Sequence, residues 1–262
     1  MPPSLNAFAR VSAFLEMTRS TAVLAGILCA AAQQPPPPGA LFDLSTFNLQ
    51  LPVSNGNGGV VIVKQPDLAT YSSQYFYTNA TDNSMTFFAT VNGATTSGSK
   101  YPRSELRQLP NFDFTGHHVL NVTMTVRVAP PTTGAITIGQ VHRDGVSGSC
   151  SIVSEFEWQA VSPGSSTGHL VNHFRDQACS GKTATVAGTV ELGERFSYSL
   201  VMDGQTMHVW TSKGALAPYT YSWYTTEQQY FKAGDYVQES GTSSTDGGVV
   251  AIHAITSSHS AA

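Results

Sequence analysis

Phe196-Ser-Tyr-Ser-Leu-Val-Met202-Asp203-Gly204-Gln205-Thr-Met-His-Val-Trp210 is the stretch that decides the fold class. Two runs rich in apolar, aromatic and β-branched residues flank Asp203-Gly204, and Asp-Gly supplies the positive φ angles of a tight hairpin turn. The same signature recurs along the chain. Phe47 to Pro52, Met85 to Val91, Val119 to Val128 and Val249 to Ile255 read as further strands, separated by Gly, Asn, Asp and Ser. Helical period is weak after the first residues, and one short helix is predicted around Pro66 to Thr70. Many strands and few helices in 262 residues predict an all-β chain. Its expected form is a concanavalin-like β-jelly-roll sandwich of two antiparallel sheets, whose concave sheet can cradle an extended polymer.

A chain that is 41% hydrophobic and 10% aromatic, with 23 Gly and 14 Pro, can fill one sizeable core and make many turns. One domain, residues 41–262, is expected. A net charge of −4 and a pI near 6.0 speak against a nucleic-acid partner, which calls for a basic surface. They leave room for a polyanion in a local basic groove.

Thr21 to Ala32 is a short apolar run behind Arg19, too short to span a bilayer and ending in small residues. Residues 1–32 therefore read as a secretory signal peptide and 33–40, with Pro35 to Pro38, as a Pro-rich linker. Met17-Thr-Arg-Ser makes a more ordinary n-region than Met1 to Glu16, so Met17 is an alternative start. A secreted, extracellular protein without membrane attachment after cleavage follows as the expectation, as does a monomer. Cys29 leaves with the signal, and Cys150 and Cys179 form an even pair in an oxidising compartment, so one disulfide is predicted. Asn79-Ala-Thr81 and Asn121-Val-Thr123 are glycosylation sequons. The eight histidines form no spaced cluster, so no metal is expected.

Charge concentrates in Tyr101-Pro-Arg103-Ser-Glu105-Leu-Arg107-Gln108, in a chain that is only 11% charged. Strand alternation puts Arg103, Glu105 and Arg107 on one face, with Glu105 placed to hold both guanidinium groups. Two further stretches carry polar groups at the same spacing. Gly139-Gln140-Val141-His142 offers Gln140 and His142, with Val141 turned to the core; Tyr230 to Gln238 offers Tyr230, Lys232, Tyr236 and Gln238. Arginine, glutamine, histidine, lysine and tyrosine could thus line one groove without a nucleophile. Glu105 is the only carboxylate in the row, and nothing in the sequence pairs Asp144, Glu155 or Glu157. A paired-carboxylate glycoside hydrolase is hard to build from these residues.

Arg103-Ser-Glu-Leu-Arg107, Gln140-Val-His142 and Tyr230-Phe-Lys-Ala-Gly-Asp-Tyr-Val-Gln238 resemble the three signature blocks of the alginate lyases of polysaccharide lyase family 7. The likeness extends from Phe42 to Pro52, through Asn92 to Pro102, to the last strand. What the resemblance implies is a β-jelly roll and β-elimination of a polyuronate, with no cofactor. It gives His142 and Tyr236 the parts of base and acid.

The chemistry of a uronate agrees with that assignment. Its C5 proton is barely acidic because removal adds charge to an existing anion, so the carboxylate must first be neutralised. Arg103 and Gln140 are the candidates, through donors that strengthen as charge develops. Cationic neighbours are expected to lower the cost of a tyrosinate at Tyr236. Glu105, Arg107, Tyr230, Lys232 and Gln238 are left for binding, most of them to sugars flanking the scissile bond. Many family members carry Gln-Ile-His in the middle block; Val141 is the variant that goes with mannuronate-rich substrate. Alternatives are a lyase for another polyuronate such as glucuronan, and a lectin-like domain that has kept the groove and lost the chemistry.

Overall fold

The computed structural model describes residues 34–146, 151–176, 181–186, 188–222 and 227–261. The predicted signal and both Cys150 and Cys179 lie outside the described residues.

In chain order the strands are β1 (Phe47–Ser54), β2 (Val60–Val63), β3 (Phe76–Thr78), β4 (Met85–Thr90), β5 (Arg103–Gln108) and β6 (His117–Val128). They continue as β7 (Ala135–Arg143), β8 (Ile152–Ala160), β9 (Thr167–Arg175), β10 (Gly181–Thr185), β11 (Val190–Glu191) and β12 (Arg195–Asp203). The last are β13 (Thr206–Thr211), β14 (Gly214–Ala215), β15 (Tyr219–Thr220), β16 (Gln229–Val237) and β17 (Gly247–Ser260). Single 3-10 turns lie at Pro38–Ala40 and Asp67–Ala69. The second is the helix expected near Pro66.

The strands form two antiparallel sheets. The first runs β10-β9-β8-β7-β16-β5-β1-β2 with β11 also on β9, and the second runs β14-β13-β12-β6-β17-β4-β3 with β15 also on β13. Alternation drives the packing. In β6 Leu120, Val122, Met124 and Val126 are buried, and in β16 Phe231, Ala233 and Val237 turn inward while Lys232 and Tyr236 turn to the other face. Leu49, Leu106, Val141 and Phe156 from the first sheet meet Phe87, Leu200 and Ile252 from the second in one core. Each such side chain, once buried, contributes about 1.5–3 kcal/mol. Polar links cross the core as well: the Tyr198 hydroxyl donates to Ile138 O at 2.7 Å, and Asp235 Oδ2 accepts from Ala89 N at 2.9 Å.

The hairpin is present but its turn is shifted by one residue. Asp203 pairs with Thr206, so the loop is Gly204-Gln205, and of these only Gly204 has positive φ, 55°. Glycine at the first central position is the type II′ requirement, whereas a turn through Asp203 would have needed a second positive φ.

Among the bulges of the sheet that carries the charged row, two lie side by side next to that row. Between facing residues, β8 spends two positions from Glu155 to Glu157, β7 three from Gln140 to Thr137, and β16 four from Lys232 to Tyr236. Gly234 makes the last insertion possible. Its φ is 146°, and a Cβ there would come within 2.7 Å of Ser104 O and 2.8 Å of the Glu105 Cα.

At the far end of the fold, β17 is tied to β5 and β6 by a chain of rings. Gln108 Nε2 donates to His259 Nε2 at 2.7 Å, the two Nδ1 atoms of His259 and His118 lie 3.0 Å apart, and His118 Nε2 donates to Thr115 O at 2.5 Å. One proton between the Nδ1 atoms satisfies both rings; a second would set two N–H groups against each other. Burial first, then His118, pushes His259 below its ordinary 6.5. A depressed histidine contributes stability that is present above 6.5 and is lost as pH falls from there toward its folded value. Stability is therefore expected to drop in mild acid, and that of His259→Gln to drop less. Urea midpoints of both proteins at neutral and mildly acid pH check this; parallel losses would show that the ring pair is not responsible.

Candidate active site

Strand order assembles what the sequence scatters. β16 lies between β5 and β7, so Lys232 is opposite Arg107 on one side and Gln140 on the other, Tyr230 is opposite His142, and Tyr236 is opposite Arg103. The three charged or polar stretches thereby share one sheet face.

Glu105 is the hub of that face, and it is fully buried. Its Oε2 is 2.6 Å from Lys232 Nζ and 3.3 Å from Arg103 Nη1, while its Oε1 accepts from Gln140 Nε2. Strand alternation alone predicts that Glu105 holds both arginines. It holds Arg103 and Lys232 instead, because Lys232 sits between the strands and reaches the carboxylate first. Arg107 is drawn to other partners: its guanidinium lies 4.0 Å from the Tyr230 ring centre, 3.5 Å from Asp144 Oδ1, and donates to Gln108 O at 3.0 Å.

The hub also fixes the state of His142. Gln140 spends an N–H on Glu105, so its Oε1 faces His142 and accepts from Nε2 at 2.9 Å. Only a protonated Nε2 can make that bond, which leaves the lone pair of the neutral ring on Nδ1. The ring stacks on Tyr230 at 5.7 Å and 18°. Desolvation first, then the charges of Lys232, Arg103 and Arg107, hold its pKa well below 6.5. The imidazole is neutral at physiological pH and has a lone pair to offer.

Tyr236 is 8% exposed, with the Arg103 guanidinium 3.8 Å from its ring centre. Ser99, in the loop between β4 and β5, is 3.3 Å from the phenolic oxygen and accepts from Arg103 Nη2. Burial outweighs these neighbours and raises the phenol above its ordinary 10, although Arg103 and Ser99 pull it down. This corrects the expectation of an eased tyrosinate. The residue rests as a phenol.

Gln238 lies one residue past β16, where its amide donates to Thr137 Oγ1 at 2.9 Å and to Tyr236 O at 3.2 Å. Val141 is fully buried and touches the groove only through its strand. Beyond Gln140 the face continues over β8 and β9, where Glu155 pairs with Arg175 at 3.1 Å and Glu157 with His173 at 3.4 Å. Burial and then Glu157 raise the Glu155 carboxyl. Ser99 and Arg175 were not singled out from the sequence. Ser99 sits among Gly, Ser and Thr with no periodicity, and Arg175 ends a strand whose place beside β8 is a matter of topology.

A cavity of about 290 Å³ opens over Arg103, Arg107, His142, Tyr230 and Lys232. A second, of about 280 Å³, opens over Gln140, Glu155, Arg175, Tyr236 and Gln238. Arg103, His142, Gly98 and Ser151 line both. A jelly roll with a cationic groove of this make-up, holding a neutral imidazole and a phenol, defines a polysaccharide lyase. Residues 42–259 match the family model described as alginate lyase, and the chain belongs to that family.

Solved structures agree with this. Alginate lyase A1-II′ is 26% identical with a TM-score of 0.73, covering 86% of this chain and 100% of that one. A variant of the same enzyme in complex with the substrate GGMG is 26% identical, with a TM-score of 0.74 over 87% of this chain and 98% of that one. PA1167 from Pseudomonas aeruginosa, an alginate lyase, is 26% identical with a TM-score of 0.74, covering 83% and 100%. No curated protein sequence gives a match.

Proposed function

We propose that the protein cleaves alginate by β-elimination, prefers mannuronate-rich blocks and acts outside the cell. The observation that carries the chemistry is the Glu105–Gln140–His142 chain, which sets a neutral base beside Arg103 in the same groove as a phenol. Family membership supports alginate as the polymer. The apolar run before the polyproline stretch supports secretion.

In this reading Arg103 and the remaining N–H of Gln140 bind the carboxylate of the reacting sugar and stabilise the charge that moves onto it. The C5 proton goes to a base, the C5 electron pair forms the C4–C5 double bond, and the C4–O4 bond breaks with a proton delivered to O4. In guluronate the C5 proton and O4 lie on opposite sides of the ring, so His142 Nδ1 takes the proton and Tyr236 supplies the other. In mannuronate they lie on one side. The Tyr236 oxygen can then accept from C5 as its own proton passes to O4, and the residue ends as the phenol it began as. A raised phenol pKa is no obstacle to that exchange, because no tyrosinate accumulates.

Mixing the protein with alginate and following the ultraviolet absorbance of the conjugated uronate tests the proposal. A rise on glucuronan alone would overturn alginate as substrate, and no rise on any polyuronate would overturn the chemistry.

Lys232 gives the reading a pH signature. Burial, then Arg103, lowers its ammonium from 10.5 to about 8 in spite of Glu105. Above that pH the groove loses a cation, so KM for alginate is expected to rise there. Lys232→Met should start from a raised KM and show no further rise on that limb; an unchanged limb would assign it to another group.

A further inference from the structure

We propose that Asn48, Gln50, Ile62 and Lys64 form a further uronate-binding subsite on β1, β2 and the residue that follows β2, beyond the Arg107 side of the reacting sugar. The inference rests on the polyuronate reading of the groove and names where the groove continues. β1 lies beside β5, with Asn48 opposite Arg107 and Gln50 opposite Glu105, and Ile62 of β2 is opposite Gln50. Directly opposite residues on one face have Cβ atoms about 5 Å apart, so these side chains extend the floor without a break. Phe47, Leu49 and Leu51 fill the core from the alternate positions. Asn48, Gln50, Ile62 and Lys64 line the same cavity as Arg107, His142 and Lys232.

What these groups lack identifies the guest. Gln50 Oε1 is shielded from solvent and accepts no hydrogen bond among the described residues. A buried acceptor left open costs stability unless something fills it. Lys64 has no carboxylate partner among the described residues, in contrast to Lys232 and Arg107. A hexuronate offers what both need: a carboxylate for the ammonium, and ring hydroxyls for the amide oxygen. Ile62, 46% exposed, supplies an apolar surface for the C–H face of the ring.

The test is chain-length dependence. Steady-state kinetics on polymeric alginate and on an alginate trisaccharide, which has fewer sugars to place on the β1 side, are compared for wild type, Lys64→Ala and Gln50→Leu. Lys64→Ala is expected to raise KM on polymer about two- to fivefold, the range of an exposed ion pair, with kcat unchanged and a smaller effect on the trisaccharide. It should also weaken the salt dependence of KM on polymer, whereas Gln50→Leu should raise KM and leave the salt dependence intact. Normal wild-type turnover with equal effects on both substrates, or none on either, would overturn the subsite alone. Absence of wild-type turnover on every polyuronate would overturn the lyase reading and the subsite with it.

Discussion

Tyr236→Phe is expected to lower kcat on both polymannuronate and polyguluronate by about 10²- to 10⁴-fold, the range of a positioned proton-transfer group. The substitution keeps the ring against which Arg103 packs at 3.8 Å and removes only the hydroxyl beside Ser99. KM should change little, since cation–π packing and the Glu105 hub both survive. His142→Ala separates the two substrates. Guluronate loses its base outright, whereas mannuronate loses a neighbour of the exchanging phenol, so the guluronate rate should fall further. The measurement is kcat for both variants on the two homopolymers. Substantial turnover of polymannuronate by Tyr236→Phe would overturn the phenol's role, and equal losses for His142→Ala would overturn the division of labour.

These assignments were legible in the sequence to different depths. Strands with clear alternation, such as Phe47 to Leu51 and most of Val119 to Val128, could be read directly, because one face must be apolar wherever a sheet covers a core. Alternation also placed Arg103, Glu105 and Arg107 on one face, and Tyr230, Lys232 and Tyr236 on another. Which of them would touch depended on β16 lying between β5 and β7, a pairing that brings Lys232 to Glu105 across 127 positions of sequence. Charge order along one strand pointed to two arginines on Glu105; three-dimensional order gave one arginine, one lysine and one amide. The phenol shows the same limit. The cationic Arg103 was visible from sequence and pulls its pKa down, but the depth of its burial, which wins, belongs to the packed fold. Asn48 and Gln50 stood in an alternating strand, and nothing local marked that strand as the neighbour of β5.

Glu105→Gln should be the most damaging substitution in stability as well as in turnover. The carboxylate is fully buried and neutralises two buried cations, the Lys232 ammonium at 2.6 Å and the Arg103 guanidinium at 3.3 Å. Removing one partner of a buried ion pair leaves uncompensated charge in a medium that solvates it poorly, at a cost of about 3–5 kcal/mol. Glutamine is nearly the same size as glutamate, so the loss would not come from a cavity. Lys232 offers part of an escape: without the Glu105 carboxylate its ammonium can give up its proton, which caps the penalty and moves the alkaline rise in KM to lower pH. Turnover suffers by a separate route. The introduced amide can turn either its oxygen or its nitrogen toward Gln140, so the amide of Gln140 is no longer oriented, and His142 is free to carry its proton on Nδ1 where the lone pair is needed. Urea unfolding reads the first effect and the pH profile of kcat on polyguluronate the second, while polymannuronate, which relies on Tyr236, should lose less. A variant within about 1 kcal/mol of wild type would mean that Glu105 is not the electrostatic anchor of the groove. A fully retained guluronate rate would mean that Gln140 orients His142 without it.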